Sequence, residues 1–278
     1  MSEPALYVVA TPIGNLGDMV PRAVETLQTV QLIAAEDTRH SAKLLEHFHI
    51  NTPLMAYHDH SDSHRTQLLI DKLLAGESIA LISDAGTPLV SDPGYQLVAA
   101  AQAAGVRVIP IPGACALIAA LSASGLASDR FSFEGFLPAK QVARRKRLEA
   151  LVSQSGTSIF YEAPHRIAET LADVVLLFGA DRPIVIAREL TKTFETFLTG
   201  TSSEVLARVL ADANQQRGEI VLLIQGAPKA NAVALDAEAT RIMTLLAAEL
   251  PPKKASALVE EITGVKKKEL YQWFVEQK

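Results

Sequence analysis

Over the first 225 residues, short apolar runs alternate with stretches of helical period, and that alternation leaves few folds open. Runs at 6–10, 31–35, 79–83 and 106–111 have the length and apolar continuity of buried strands. Between them, 19–30, 39–48, 65–75 and 94–104 carry helical spacing, the last closed by Gly105. Strand followed by helix, repeated, implies a parallel sheet with helices on its faces. A second such unit begins near 113, with a helix at 114–124, a strand at 131–136, a basic helix at 140–153 and a strand at 157–161. A helix at 165–178, strands at 183–189 and 193–199, a helix at 202–213 and a strand at 219–225 complete it. The last fifty residues lose the strand pattern and predict three helices, at 235–250, 253–262 and 266–277. The expected organisation is therefore an α/β domain over 1–112, a second α/β domain over 113–228 and a small helical, helix-turn-helix-like domain over 229–278.

With 49% hydrophobic and 21% charged residues, each part can bury a core, which excludes wholesale disorder. The single cysteine, Cys115, excludes an internal disulfide and a cysteine-based zinc site. No basic and apolar leader precedes the run at 6–10, and no apolar stretch spans a bilayer, so a cytoplasmic protein without membrane contact is expected.

In an open parallel sheet, ligands bind beyond the carboxyl ends of the strands, and the oddest residues of this chain follow the strands. The first run is followed by Thr-Pro-Ile-Gly-Asn-Leu-Gly-Asp (11–18), a tight turn that serves either as a nucleotide loop or as an ordinary strand-to-helix connection. It is neither a Walker loop nor a full Gly-x-Gly-x-x-Gly. Glu36-Asp37 nevertheless lies about twenty residues on, where a dinucleotide site keeps its ribose-binding carboxylate, so an NAD-dependent oxidoreductase is a competing expectation. Residues 83–94 read Ser-Asp-Ala-Gly-Thr-Pro-Leu-Val-Ser-Asp-Pro-Gly, a stiff loop rich in backbone groups able to grip an amino-acid-like or nucleoside ligand. After the fourth run, Pro110 to Ala116 enters an alanine-rich helix, where Cys115 is expected to be a buried structural residue with no basic neighbour to activate it.

These loops, together with Ala-Glu-Asp-Thr-Arg (35–39), Ile-Pro-Gly-Ala (111–114), Tyr-Glu-Ala-Pro-His-Arg (161–166) and Gly-Glu-Ile-Val-Leu-Leu-Ile (218–224), closely resemble the tetrapyrrole methylase superfamily. The resemblance covers residues 5–226 and is closest to the branch that uses S-adenosylmethionine to methylate a cytidine 2′-hydroxyl in the decoding region of 16S rRNA. It implies two α/β domains with the cofactor in the cleft between them, a homodimer, and 16S rRNA within the 30S subunit as partner. It implies cofactor contacts from Pro12, Ala85, Gly86, Thr87, Val90, Cys115, Ala116, Tyr161, Glu162, Leu190 and Ile220. Where the relatives carry Asp, this chain has Thr87, with Asp84 three residues earlier; one of the two is expected to meet the cofactor.

Methyl transfer to a ribose hydroxyl needs positioning and help for a poor nucleophile. The chain offers Glu36, Asp37 and Arg39, the run Tyr57-His58-Asp59-His60-Ser61-Asp62 with His64, and Glu162, His165, Arg166, Glu189 and Lys192 in the second unit. Asp37 or His58 is expected to receive the proton, and Arg39 or Arg166 to hold a phosphate. Capping of the next helix is an equal expectation for Glu36-Asp37. No metal is expected, because adjacent ligands on one loop rarely close a coordination shell.

The net charge of −5 argues at first against RNA, but the charge is clumped. Residues 138–150 hold five basic residues against one acidic. Contacts to RNA phosphates are expected from Lys140, Arg144, Arg145, Lys146, Arg147 and Arg166, and in the tail from Lys253, Lys254, Lys266, Lys267 and Lys268. Trp273 and Phe274 are expected to pack the tail's own core. A small-molecule methylase of the same fold and a non-catalytic RNA-binding protein are the remaining alternatives.

Overall fold

A computed structural model describes residues 4–58, 63–228 and 237–276. The chain divides into two compact units, 1–226 and 227–278.

The larger unit opens with β1 (Ala5–Val9), α1 (Pro21–Thr29), β2 (Leu32–Ala35), α2 (Thr38–His47), β3 (Leu54–Ala56), α3 (Ser63–Leu74), β4 (Ile79–Ile82), α4 (Tyr95–Ala103) and β5 (Arg107–Ile111). The strands form one parallel sheet in the order β3-β2-β4-β1-β5. Alternate residues of the buried strands serve opposite faces. Val9, Ile33, Ala80 and Ile82 pack with Ala23 and Leu27 of α1 and Leu45 of α2. Leu6, Ala34, Ile79 and Leu81 pack with Leu69 and Leu73 of α3 and Leu97 and Ala101 of α4. The neighbours β1 and β4 thus send their helices to opposite faces, which opens a crevice beyond their carboxyl ends. The three-residue β3 was not expected: it sits at the sheet edge and is too short to show a period.

The unit continues through α5 (Ala116–Ser124), β6 (Phe131–Phe136), α6 (Gln141–Glu149), β7 (Thr157–Glu162), α7 (Ile167–Phe178), β8 (Pro183–Arg188), β9 (Thr196–Thr201), α8 (Ser202–Ala211) and β10 (Ile220–Ile224). This second sheet has the order β6-β7-β10-β8-β9. Only β6 and β7 run parallel, so the sheet is mixed and not the repeat of the first that the alternation implies. The cause is β8 and β9, which are joined by seven residues with no helix and can only pair antiparallel. The Thr-rich strand accordingly begins at 196 and not 193, because Glu189 to Glu195 make the connection. One face of this sheet packs on α6, α7 and α8, and the other on α5. Ile13, from the loop after β1, joins the α5 layer and ties the first sheet's crevice to the second sheet.

The smaller unit holds α9 (Ala237–Glu249), α10 (Pro252–Thr263) and α11 (Lys267–Glu276). Ala239, Met243, Ala255, Val259 and Leu270 form its core, with Trp273 and Phe274 packed against them. Gly264 closes α10 with φ +74, a left-handed cap glycine adopts cheaply. Among the described residues no helix is long and apolar enough to cross a membrane.

Candidate functional site

Three loops of the first sheet are stitched together at its carboxyl edge. Thr11 and Gly86 exchange backbone hydrogen bonds of 2.9 and 3.1 Å, and the Thr87 hydroxyl donates to Ala114 O at 3.0 Å. Gly86 holds φ +84, a backbone that favours glycine, and a Cβ there would lie a tight 3.2 Å from Ile13 Cγ2. Leu89 and Ser91 hold φ +72 and +66 in the same loop, and Glu189 and Thr191 hold +52 and +66 in the β8–β9 loop. Non-glycine residues in this region store strain, and such strain clusters at functional sites.

Between these loops lies a cavity of about 380 Å³. Ala85, Gly86, Thr87, Val90, Cys115 and Ala116 line it from the first sheet's loops and the start of α5. Tyr161, Glu162, Leu190 and Ile220 line it from the second sheet. Its volume falls in the range of roughly 300–1,000 Å³ typical of small-ligand sites. Much of the wall is aliphatic, with a few convergent polar groups. The Tyr161 ring is held edge-on by Phe133 and Phe136, and the Leu117 N–H donates to its hydroxyl. Burial pushes that phenol up to about 12, so it stays protonated. Glu162 is buried and saturated: Oε1 accepts from Ala163 N at 2.7 Å and from Arg166 Nε at 3.0 Å, while Oε2 accepts from the Thr170 hydroxyl at 2.7 Å.

The acidic residues at the ends of β2 and β4 are linked. Asp37 N donates to Asp84 Oδ1 at 3.0 Å, and Asp84 N donates to Glu36 Oε2 at 3.5 Å. Burial first, and then the Asp84 charge, push the Glu36 carboxyl above the usual range. Asp37 caps α2, its Oδ1 accepting from Arg39 N at 2.8 Å and from His40 N at 3.4 Å. Those bonds, led by the one from Arg39 N–H, hold its carboxyl below the ordinary range, which suits a cap better than a base.

The sequence profile of the Tetrapyrrole (Corrin/Porphyrin) Methylases matches residues 5–206, and that of the RsmI C-terminal HTH domain matches 233–278. Ribosomal RNA small subunit methyltransferase I of Pseudomonas aeruginosa is 58% identical over 274 residues, covering 98% of this chain and 97% of that protein. The protein of the same name from Escherichia coli O157:H7 is 54% identical over 276 residues, covering 99% and 96%. The chain belongs to the ribosomal RNA small subunit methyltransferase I family of tetrapyrrole methylases. Solved structures of the methyltransferase CobJ (19% identity, TM-score 0.60, 81% of this chain and 95% of that one) and of uroporphyrin-III-C-methyltransferase from Thermus thermophilus (17%, 0.56, 80% and 94%) share the fold.

Ten of the twelve residues that the methylase resemblance singles out therefore fall on one cavity wall. Pro12 and Asp84 do not line it. Pro12 is replaced there by its neighbour Ile13, and Asp84 is engaged by Asp37 N. Cys115, expected as a buried structural residue, is half-exposed on the wall. Sequence reasoning missed Asp92, Phe136, Gly218 and Glu219 as wall residues. Phe136 is delivered by the irregular pairing between Phe133 and Phe136, where Gly135 takes φ +67. Gly218 and Glu219 precede Ile220, and their own motif was the available signal. His58 is exposed and off the wall, and Asp59, His60, Ser61 and Asp62 lie outside the described residues.

The basic segment separates into two faces. Lys140, Lys146 and Arg147 are exposed, with Arg147 paired to Glu134. Arg144 corrects the expectation of a phosphate contact: it is 0% exposed, and its Nε donates to Asp173 Oδ2 at 2.7 Å. Arg145 shares that aspartate through Oδ1 at 2.7 Å. Arg39 is exposed, while Arg166 is held by Glu162. Lys253, Lys254, Lys266, Lys267 and Lys268 are all exposed on the smaller unit.

Proposed function

We propose that this protein transfers a methyl group from S-adenosylmethionine to the 2′-hydroxyl of a cytidine in the decoding region of 16S rRNA, within the 30S subunit. The observation that carries the reading is the cavity itself, which gathers residues from five separated motifs onto one wall. Its residues fit the cofactor. Apolar walls from Ile13, Val90, Leu190 and Ile220 suit the adenosine, and the half-buried Asp92 carboxylate suits a cationic ligand. When bound, the cofactor supplies a methyl group already activated on a sulfonium sulfur.

The protein's part is then orientation and exclusion of water. Thr87, Cys115 and Ala116 hold the ligand from the first sheet's side, and Tyr161 presents a protonated hydroxyl from the other. The exposed cations of α6 and of the smaller unit supply sequence-independent attraction to the phosphate backbone. The same reading takes the protein to work as a homodimer in the cytoplasm.

The deciding experiment offers tritiated S-adenosylmethionine with 30S subunits, free 16S rRNA and a tetrapyrrole precursor, then maps the label. Ribose label at a single cytidine is expected. Label on a base, or only on the tetrapyrrole, would overturn the proposal.

A further inference from the structure

A ribose cannot enter a cavity between two sheets while its base stays stacked in the RNA. The target nucleotide therefore leaves the stack, and its base needs a new partner. Proteins hold such bases on aromatic faces, and the cavity wall offers two rings. Tyr161 is half-buried, packed edge-on by Phe133 and Phe136, and its hydroxyl is held by the Leu117 N–H. Phe136 is the other ring. At 57% exposure it is the one large apolar side chain of the wall that faces solvent, whereas Ile13, Leu190, Ile220 and Val221 are buried. It belongs to neither hydrophobic layer of the second sheet.

A β-bulge aims Phe136 at the cavity. Phe133 pairs with Ile159 and Phe136 with Tyr161, so three steps along β6 match two along β7. Side chains alternate with period two, so a regular strand would turn residue 136 to the face opposite Phe133. The extra residue returns Phe136 to the face that Phe133 and Tyr161 share, with Gly135 taking φ +67. A Cβ at Gly135 would lie 3.9 Å from Ser91 Oγ, which sets this end of β6 against the loop after β4. The next residue, Leu137, turns back into the core, so the backbone that displays the ring is fixed on both sides.

Cations lie close by in the chain. Lys140, four residues on, is exposed where α6 begins, and Arg147 of that helix pairs with Glu134 of β6. An aromatic face beside exposed cations is the combination that single-stranded nucleic-acid sites use. We propose that Phe136 is the platform on which the base of the methylated nucleotide stacks, an inference that rests on the RNA-methylating reading above. Stacking tolerates every base, so Phe136 positions the nucleotide without selecting it. Its partner is the RNA base and not the cofactor's adenine, because the aliphatic walls that suit adenine are buried and Phe136 stands on the solvent side.

The test uses the full-length protein with Phe136→Leu, which keeps apolar bulk without a ring, and Phe136→Tyr, which restores the ring. Single-turnover methylation of subsaturating 30S subunits gives kcat/KM, and calorimetry gives S-adenosylmethionine affinity. Phe136→Leu is expected to lose about tenfold in kcat/KM, inside the span that base–aromatic stacking contributes. Phe136→Tyr stays within about threefold of wild type, and so does cofactor affinity in both variants. The Phe136→Leu loss keeps the same factor from about 50 mM to about 200 mM salt, because stacking releases no counterions, whereas a displaced Lys140 would change the slope. One measurement on the wild type needs no variant to fold. 30S subunits reconstituted with 4-thiouridine at the target position, irradiated with S-adenosylhomocysteine present, are expected to cross-link to the peptide carrying Phe136. A Phe136→Leu loss below about twofold overturns the proposal. So does a parallel loss of cofactor affinity, an equal loss in Phe136→Tyr, a changed salt slope, or a cross-link confined to other peptides. Failure of the wild type to methylate 30S subunits or 16S rRNA would overturn the RNA-methylating reading itself, whereas methylation undiminished in Phe136→Leu would overturn the role of Phe136 alone.

Discussion

Lys192 lies across Gly14: a Cβ at Gly14 would fall 2.5 Å from Lys192 Cγ and 2.8 Å from its Cε. The loop after β1 and the loop after β8 thus close on each other with no space for a side chain. The Lys192 ammonium continues the clasp, reaching Glu189 Oε1 at 2.9 Å and Glu219 Oε2 at 2.8 Å. Glu189 Oε1 also accepts from Glu219 N at 2.9 Å. Since Glu219 is on the cavity wall, this clasp sets one edge of the proposed cofactor site.

Gly14→Ala is therefore expected to push Lys192 away and loosen that edge. Calorimetry should show S-adenosylmethionine affinity falling roughly tenfold, about 1.4 kcal/mol. Adding Lys192→Ala gives the new methyl its space, so the double variant should lose less than the sum of the two singles. Additive losses would show that the two loops do not act through this contact.

Asp37→Ala separates a cap from a base. The carboxylate accepts two backbone N–H bonds at the start of α2, and nothing places it on the cavity wall. The variant should melt at a lower temperature while its single-turnover rate stays far above the roughly 10²–10⁴-fold loss expected for a missing general base. The stabilisation has a sign in pH. A carboxyl held low in the folded state stabilises it above the ordinary aspartate range and stops doing so as pH falls through the folded value. The difference in melting temperature between wild type and variant should thus shrink in acid.

What the sequence discloses follows from the size of each signal. The strands of the first sheet are buried on both faces, so their continuous apolar runs stand out, while Leu54–Ala56 has three residues at an edge and none. The direction of β10 against β7 and β8 is a matter of long-range pairing, which local periodicity does not carry. Most cavity residues were legible because they lie in motifs at strand ends. Asp92 was harder, since nothing local distinguishes it from Asp84 in the same loop; only the fold shows that Asp84 is engaged by Asp37 N. Arg144 was legible in principle. It precedes Leu148 by four residues and Leu151 by seven, both buried, which puts it on the core face of its helix.

That placement makes Arg144 a stability residue. Arg144→Met removes one of two cations from a fully buried aspartate; Arg145 still holds Oδ1, so the loss should stay below the ~3–5 kcal/mol of a buried charge left without any partner. Chemical denaturation should report that loss, and Arg144→Met/Asp173→Leu should recover part of it. Burial raises the Asp173 carboxyl, but the bonds from Arg145 and Arg144 outweigh it and hold it below the ordinary range. The pair therefore stabilises the wild type above that range and stops doing so as pH falls through the folded value, so the cost of Arg144→Met should narrow in acid.

RNA affinity should depend instead on the exposed cations in and next to the same helix. Lys140 and Lys146 are exposed, and each phosphate contact they make contributes roughly 0.7 to the slope of log affinity against log salt on single-stranded RNA. Lys140→Ala/Lys146→Ala is expected to flatten that slope by about 1.4 for 16S rRNA and to weaken binding most at low salt. Arg144→Met, at a temperature where it remains folded, should leave the slope unchanged, because its side chain never reaches solvent. An equal slope for all three proteins would move the phosphate contacts off this helix and onto the exposed lysines at 253–254 and 266–268.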